Sequence, residues 1–167
     1  MPSLRDLQGG AREVLDAFVA QLEDQGIELP ERRYVAPGSA IVWDGEQMTV
    51  NLVQVLSGQP GAPGLTTPTP PATRVFHATW AITLLRAVPA LEVDGPVEES
   101  IPTSPEIEES GLETMADSQG LLLAAQAIHE GYVLTRPGMG FVVNTLQTLG
   151  PEGGLAGVRL QVSLSLN

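Results

Sequence analysis

The sequence predicts an α+β domain, an antiparallel sheet with two main helices packed on one of its faces. Three observations lead there. An amphipathic helical stripe opens the chain, apolar residues then alternate with period two over most of the remaining length, and a second helical stripe interrupts that alternation once. The 167 residues suit one domain with one core, so 1–167 is read as a single unit.

The first stripe is Leu4, Leu7, Ala11, Val14, Leu15, Phe18 and Leu22 at helical spacing. Ser3 takes the N-cap place, and Asp6 stands in for the Glu of a capping box. Gly26 followed by Ile27 should end the helix, a left-handed residue and then an apolar clasp. From Tyr34 the period is two. Residues 34–36 and 41–43 are short strand candidates around the turn dipeptide Pro37-Gly38. Residues 48–56 read as a strand with Met48, Val50, Leu52 and Leu56 on one face and Thr49, Val53 and Val55 on the other. Residues 58–72 hold five prolines, three glycines and three threonines, too little apolar surface to offset the entropy of ordering, so a long loop is expected.

Residues 74–88 predict a long strand with Phe76, Ala78, Trp80, Ile82, Leu84 and Val88 on one face and His77, Thr79 and Thr83 on the other. Pro89 ends it. A second loop is expected over 91–111, carrying Glu92, Asp94, Glu98, Glu99, Glu106, Glu108 and Glu109 and no arginine. Ser110 and Glu113 form an S-x-x-E capping box for the second helix, which runs to about Glu130 and closes at Gly131. The last third predicts a hairpin: a strand over 141–149, a turn over 150–154, then Val158, Leu160, Val162, Leu164 and Leu166 alternating with polar residues.

Composition excludes several classes of function. The 20 Asp+Glu against 8 Lys+Arg give a net charge of -12, and every one of the eight is arginine. Affinity for nucleic acid comes from cations that release phosphate counterions, so wrapping DNA is not expected. With no cysteine there is no disulfide, thiolate metal site or thiol nucleophile. No apolar run approaches the ~20 residues of a membrane span, and no leader is read at the N-terminus. His77 and His129 have no acid or second ligand at metal spacing and read as structural or surface residues. Glu98-Glu99, Glu108-Glu109 and Glu23-Asp24 read as solvated charge. Asp44-Gly45-Glu46 lacks the ligand series of a cation loop, and Gly138-Met139-Gly140 is too short for a dinucleotide fingerprint. No catalytic residue, metal or cofactor is expected.

What exceeds a minimal domain is projection: the long strand, the Pro/Gly/Thr loop and the acidic loop. Taken in order, the pieces resemble the tail terminator (tail completion, or neck) proteins of long-tailed bacteriophages. The resemblance rests on the N-terminal amphipathic helix, on Tyr34-Val35-Ala36-Pro37-Gly38 leading to Val42-Trp43-Asp44, and on Gln47 before a strand. It continues with the long strand ending Leu85-Arg86-Ala87-Val88-Pro89-Ala90-Leu91, the acidic stretch, and the closing hairpin Gly150-Pro151-Glu152-Gly153-Gly154-Leu155-Ala156-Gly157-Val158. Cysteines are common in the family near Trp43-Asp44-Gly45-Glu46, and here the chain departs from it.

The resemblance implies a tail-terminator-like α+β fold and a structural, non-enzymatic virion protein. It implies a ring, commonly a hexamer, that caps the tail tube and joins it to the head connector or stopper, with DNA passing through unbound. The expected location is the virion neck, and the host cytoplasm during assembly. Gln59, Pro60, Pro63, Leu65, Pro151 and Glu152 are the candidate subunit contacts, and Glu98, Glu99, Glu106, Glu108 and Glu109 the candidate acidic lumen. A different neck component, a small ligand-binding domain and an acidic DNA mimic are the alternatives. The ligand-binding reading requires a concave pocket with convergent polar groups and perturbed carboxylates, and a pocket that holds His77 beside a buried Glu would favour it.

Overall fold

The computed structural model describes residues 7–38, 42–58, 76–89, 101–135 and 140–166. In chain order the elements are α1 (Leu7–Asp24), β1 (Arg33–Val35), β2 (Gln47–Ser57), β3 (Phe76–Ala87), α2 (Ser104–Glu130), β4 (Phe141–Glu152) and β5 (Leu155–Ser165). The strands make one sheet in the order β1-β2-β3-β5-β4, so β5 returns between β3 and β4 while α2 crosses over the sheet from β3 to β4. Four strands pair antiparallel, but β1 lies parallel to β2, so the sheet is mixed rather than wholly antiparallel. The eleven residues between Val35 and Gln47 are close to the dozen that a parallel connection needs.

Both helices cover the same face. Val14, Leu15, Phe18 and Leu22 of α1 and Leu121, Ala125 and Ile128 of α2 meet Val50, Trp80, Ile82, Leu84, Leu160 and Val162 of the sheet in one core. A large apolar side chain fully buried in this way contributes roughly 1.5–3 kcal/mol. The helix α1 ends as its sequence predicts: Gly26 N–H donates to the Glu23 carbonyl and Ile27 N–H to the Leu22 carbonyl, both at 3.0 Å. The Ser3 cap lies outside the described residues. A methyl group at Gly120 of α2 would collide with Ile27 Cδ1 and press to 3.3 Å of Leu22 Cδ2, so only glycine lets the second helix lie this close to the exit of the first.

Further expectations change. Residues 42 and 43 are not strand. The chain turns there, with Gln47 Nε2 donating to the Val42 carbonyl and Tyr34 Oη donating to Gln47 Oε1 at 2.8 Å. In β2 the register slips between Leu52 and Gln54, so Val53 is an extra residue in the ladder. Beyond it the faces exchange: Val55 stands opposite Ala78 of the core and Leu56 opposite His77, the reverse of a strict alternation.

Another change concerns α2. It begins at Ser104, so the expected loop ends before it and Glu106, Glu108 and Glu109 are helical. The capping pair is Thr103 with Glu106, whose Oε2 accepts from the Thr103 N–H at 2.7 Å and hydroxyl at 2.8 Å. Pro105 falls within the first turn, where a helix tolerates proline. Ser110 lies inside the helix, and its carbonyl accepts from the Thr114 hydroxyl. Along α2 the buried residues begin only at Asp117. The first half of the helix therefore stands clear of the core.

The hairpin is tighter than expected. The strand β4 continues through Gly150 and Pro151 to Glu152, and Gly153-Gly154 alone make the turn, with φ of 57° and 75°. On the sheet face away from the helices, Thr49, Asn51, His77, Thr79, Thr83, Ser163 and Ser165 are all buried. Thr79 and Ser163 share a hydroxyl hydrogen bond of 2.8 Å across β3 and β5. His77 Nδ1 lies 3.0 Å from the Gly58 carbonyl.

Candidate functional site

At one end of the sheet, part of the candidate acidic surface lies beside part of the candidate contact set. The first half of α2 runs beside the end of β4, and between them lies a groove of about 440 Å³. Ile107, Gly111 and Met115 line one wall, Leu149 and Pro151 the other, and Val88 and Pro89 after β3 close it. None of its described lining residues is ionisable. The groove contains neither His77 nor a carboxylate among its described lining residues.

Of the candidate contact residues, Pro151 lines this groove and Glu152 is exposed beside it, at the end of β4 rather than in the turn proper. Gln59, Pro60, Pro63 and Leu65 lie outside the described residues. So do Glu98 and Glu99 of the acidic set. Glu106, Glu108 and Glu109 are exposed on the first turns of α2, with Ile107, Leu112 and Met115 also exposed among them. Hydrogen bonds from the Thr103 backbone and side chain hold the Glu106 carboxyl below the usual glutamate range. It stays charged to lower pH than a free glutamate. A negative side chain in a first helical turn also complements the positive end of the helix dipole.

What ties this projecting half-helix to the body is a residue pair to which sequence reasoning gave no role. Arg86, near the end of β3, grips Asp117 of α2 with Nε to Oδ2 at 2.7 Å and Nη2 to Oδ1 at 2.8 Å. Its Nη2 also donates to the Glu28 carbonyl at 2.7 Å, and Glu113 stands 3.5 Å from its Nε. The two side chains retain only 12% and 3% of their exposure. The hydrogen bonds to Asp117, followed by the nearby charges, hold the guanidinium pKa above its already high value. One signal in the sequence pointed here: Arg86 is the only cation between Arg74 and Arg136, facing a stretch of ten acidic residues that follows it.

The remaining charges near the sheet are answered locally. Asp44 pairs with Arg32 at 2.7 Å, and Glu46 accepts from the Ala87 N–H at 2.9 Å, so protein donors already occupy both carboxylates of the 44–46 segment. His129 stacks on Phe141 with ring centroids 5.5 Å apart, joining the end of α2 to the start of β4. Among the described residues no group of three or more His, Asp or Glu converges as a metal site would. No helix among them is long and apolar enough to cross a membrane. The chain matches no protein-family model, and no curated protein matches it significantly.

Proposed function

We propose that the protein is a structural component of a phage neck, a tail terminator that forms a ring on the end of the tail tube and joins it to the head connector, with DNA passing through the lumen. The observation that supports this reading best is the exposed first half of α2. There a largely buried ion pair anchors a rigid rod that carries Glu106, Glu108 and Glu109 away from the body. A solvated acidic rod beside a duct for DNA repels phosphate and gives it no binding site. The apolar groove at the foot of the rod, next to Pro151 and Glu152, is a surface of the kind that subunit contacts bury.

In this reading the partners are further copies of the same chain, six in a closed ring, with tube protein on one side and connector or stopper on the other. The protein works by shape and charge and needs no cofactor. Purified protein mixed with isolated tail tubes should appear in negative-stain images as a ring on one tube end. A protein that stays monomeric and leaves tube ends bare would sink the reading.

A further inference from the structure

We infer that copies of this chain join edge to edge, the β4 strand of one pairing antiparallel with the second half of β2 of the next, so that a single head-to-tail contact carries one continuous sheet through the assembly. Two edges of the sheet prompt this. The first is β4, the outermost strand, which presents twelve residues from Phe141 to Glu152. The second is β2, against which β1 covers only Met48, Thr49 and Val50. Among the described residues nothing pairs with the outer side of β2 from Leu52 to Ser57.

Bare edges of this length are hazardous, and proteins usually guard them with lysine, proline, inward charge or a covering segment. These two carry little of this guarding: in β4 a proline and a charge come only at the end, Pro151 and Glu152, and otherwise the register shifts within β4 and β2 are the protection present. From Phe141 to Gly150 the edge strand has no charged residue, and neither does Leu52 to Ser57. Both combine valine and leucine with uncharged polar residues, in a chain that places 28 ionised residues elsewhere. Among the described residues nothing covers them: Val143, Asn144, Thr145, Gln147 and Thr148 are exposed, as are Gln54, Val55, Leu56 and Ser57.

The backbone polarity fits. The Ser165 N–H donates to the Gly140 carbonyl at 3.0 Å, which makes Gly140 and Ser165 a hydrogen-bonded pair and Val142 with Ser163 the next. The amides of Phe141 and Val143 therefore point away from β5, toward the open edge. Strand directions alternate from β2 through β3 and β5 to β4, so a neighbour added in the same orientation meets β4 antiparallel to its own β2.

A second copy suits these edges better than a foreign strand, because each molecule carries both halves of the contact. Two-fold pairing of β4 with β4 would leave every β2 edge bare. Head-to-tail pairing occupies both edges in every copy, and only a closed ring does so without leaving open ends. The inference rests on the ring reading for its closure. The pairing itself is read from the edges alone.

The test uses the whole chain, with native mass spectrometry and amide exchange over a concentration series from micromolar to near-millimolar. Wild type should associate, and the Val143 amide should then exchange roughly tenfold more slowly, the factor that one net hydrogen bond gives. Val143→Pro removes a donor that the fold does not use, and should abolish association through β4. Thr145→Glu is the alternative if proline unfolds the strand. Leu56→Glu should block the β2 edge. Neither variant should self-associate, yet an equimolar mixture should form a one-to-one dimer, since each retains the edge that the other lacks. A Leu56→Glu variant that dimerises alone, a wild type monomeric throughout the series, or rings that ignore both substitutions would each overturn the pairing. Tube binding is scored separately: rings insensitive to both variants defeat the pairing only, whereas paired chains that ignore tail tubes defeat the ring reading only.

Discussion

Removing the carboxylate of Asp117 should unlock the projecting helix from the sheet. Asp117→Ala leaves Arg86 charged, with 12% side-chain exposure and two of its donors unmatched. Losing one partner of a buried pair costs about 3–5 kcal/mol. Arg86 keeps the Glu28 carbonyl at 2.7 Å and Glu113 at 3.5 Å, which places the cost at the lower end, about 3 kcal/mol. For a chain of this size each kcal/mol moves Tm by roughly 2–4 °C, so a fall of roughly 6–12 °C is expected. Arg86→Met should cost more, because Asp117 is the more deeply buried of the two. The double variant Arg86→Met/Asp117→Leu should return to within about 1 kcal/mol of wild type, since apolar replacement of a whole buried pair is often neutral. Urea titrations followed by circular dichroism, at neutral pH and two salt concentrations, supply the cycle. Single variants within about 0.5 kcal/mol of wild type, the behaviour of a surface pair, would refute the reasoning, as would a double variant that costs the sum of the two.

Three further outcomes follow from the same structure. Thr83 has a hydroxyl that is fully buried without a partner, so Thr83→Val should raise stability by about 1 kcal/mol in the same titration. Gly120→Val should lower it by about 1–3 kcal/mol through the crowding of Ile27 and Leu22, and second-site Ile27→Ala should recover part of that loss. The Glu106 cap should weaken in acid: its carboxyl is held below the usual range in the folded helix, so its contribution is complete above that range and fades as pH falls through the folded value. Protection of the amides at the start of α2, taken relative to the intrinsic exchange rate at each pH, should fall over that window in wild type, and the change should vanish in Glu106→Ala.

Much of this fold was legible because the signals are local. The stripe of α1, its Gly26-Ile27 exit, the core face of β3 and the alternation of β5 each depend on residues close in sequence. The start of α2 was obscured because Pro105 and the dense glutamates resemble a loop, although Thr103 and Glu106 hold the same spacing as the Ser110 and Glu113 chosen instead. The face exchange in β2 follows from one extra residue at Val53, whose presence is settled by pairing with β3 rather than by any pattern within β2. Strand order is equally non-local: nothing within residues 141–152 says that this strand stands at an edge. The tie between Arg86 and Asp117 spans 31 positions, so only the crossover of α2 brings it into being.

The unequal packing of α2 has a mechanical consequence. Its 27 residues make a rod about 40 Å long, hydrogen-bonded along its axis and clamped only over its second half. Such a rod is a cantilever. A load on its free end near Glu108 is carried as torque to the clamp, where Asp117 holds β3 through Arg86 and Gly120 rests against Leu22 and Ile27. Bending is resisted along the whole length, while the fixed end transmits any rotation directly into the central strand of the sheet. Whatever grips the acidic tip is thereby geared to β3.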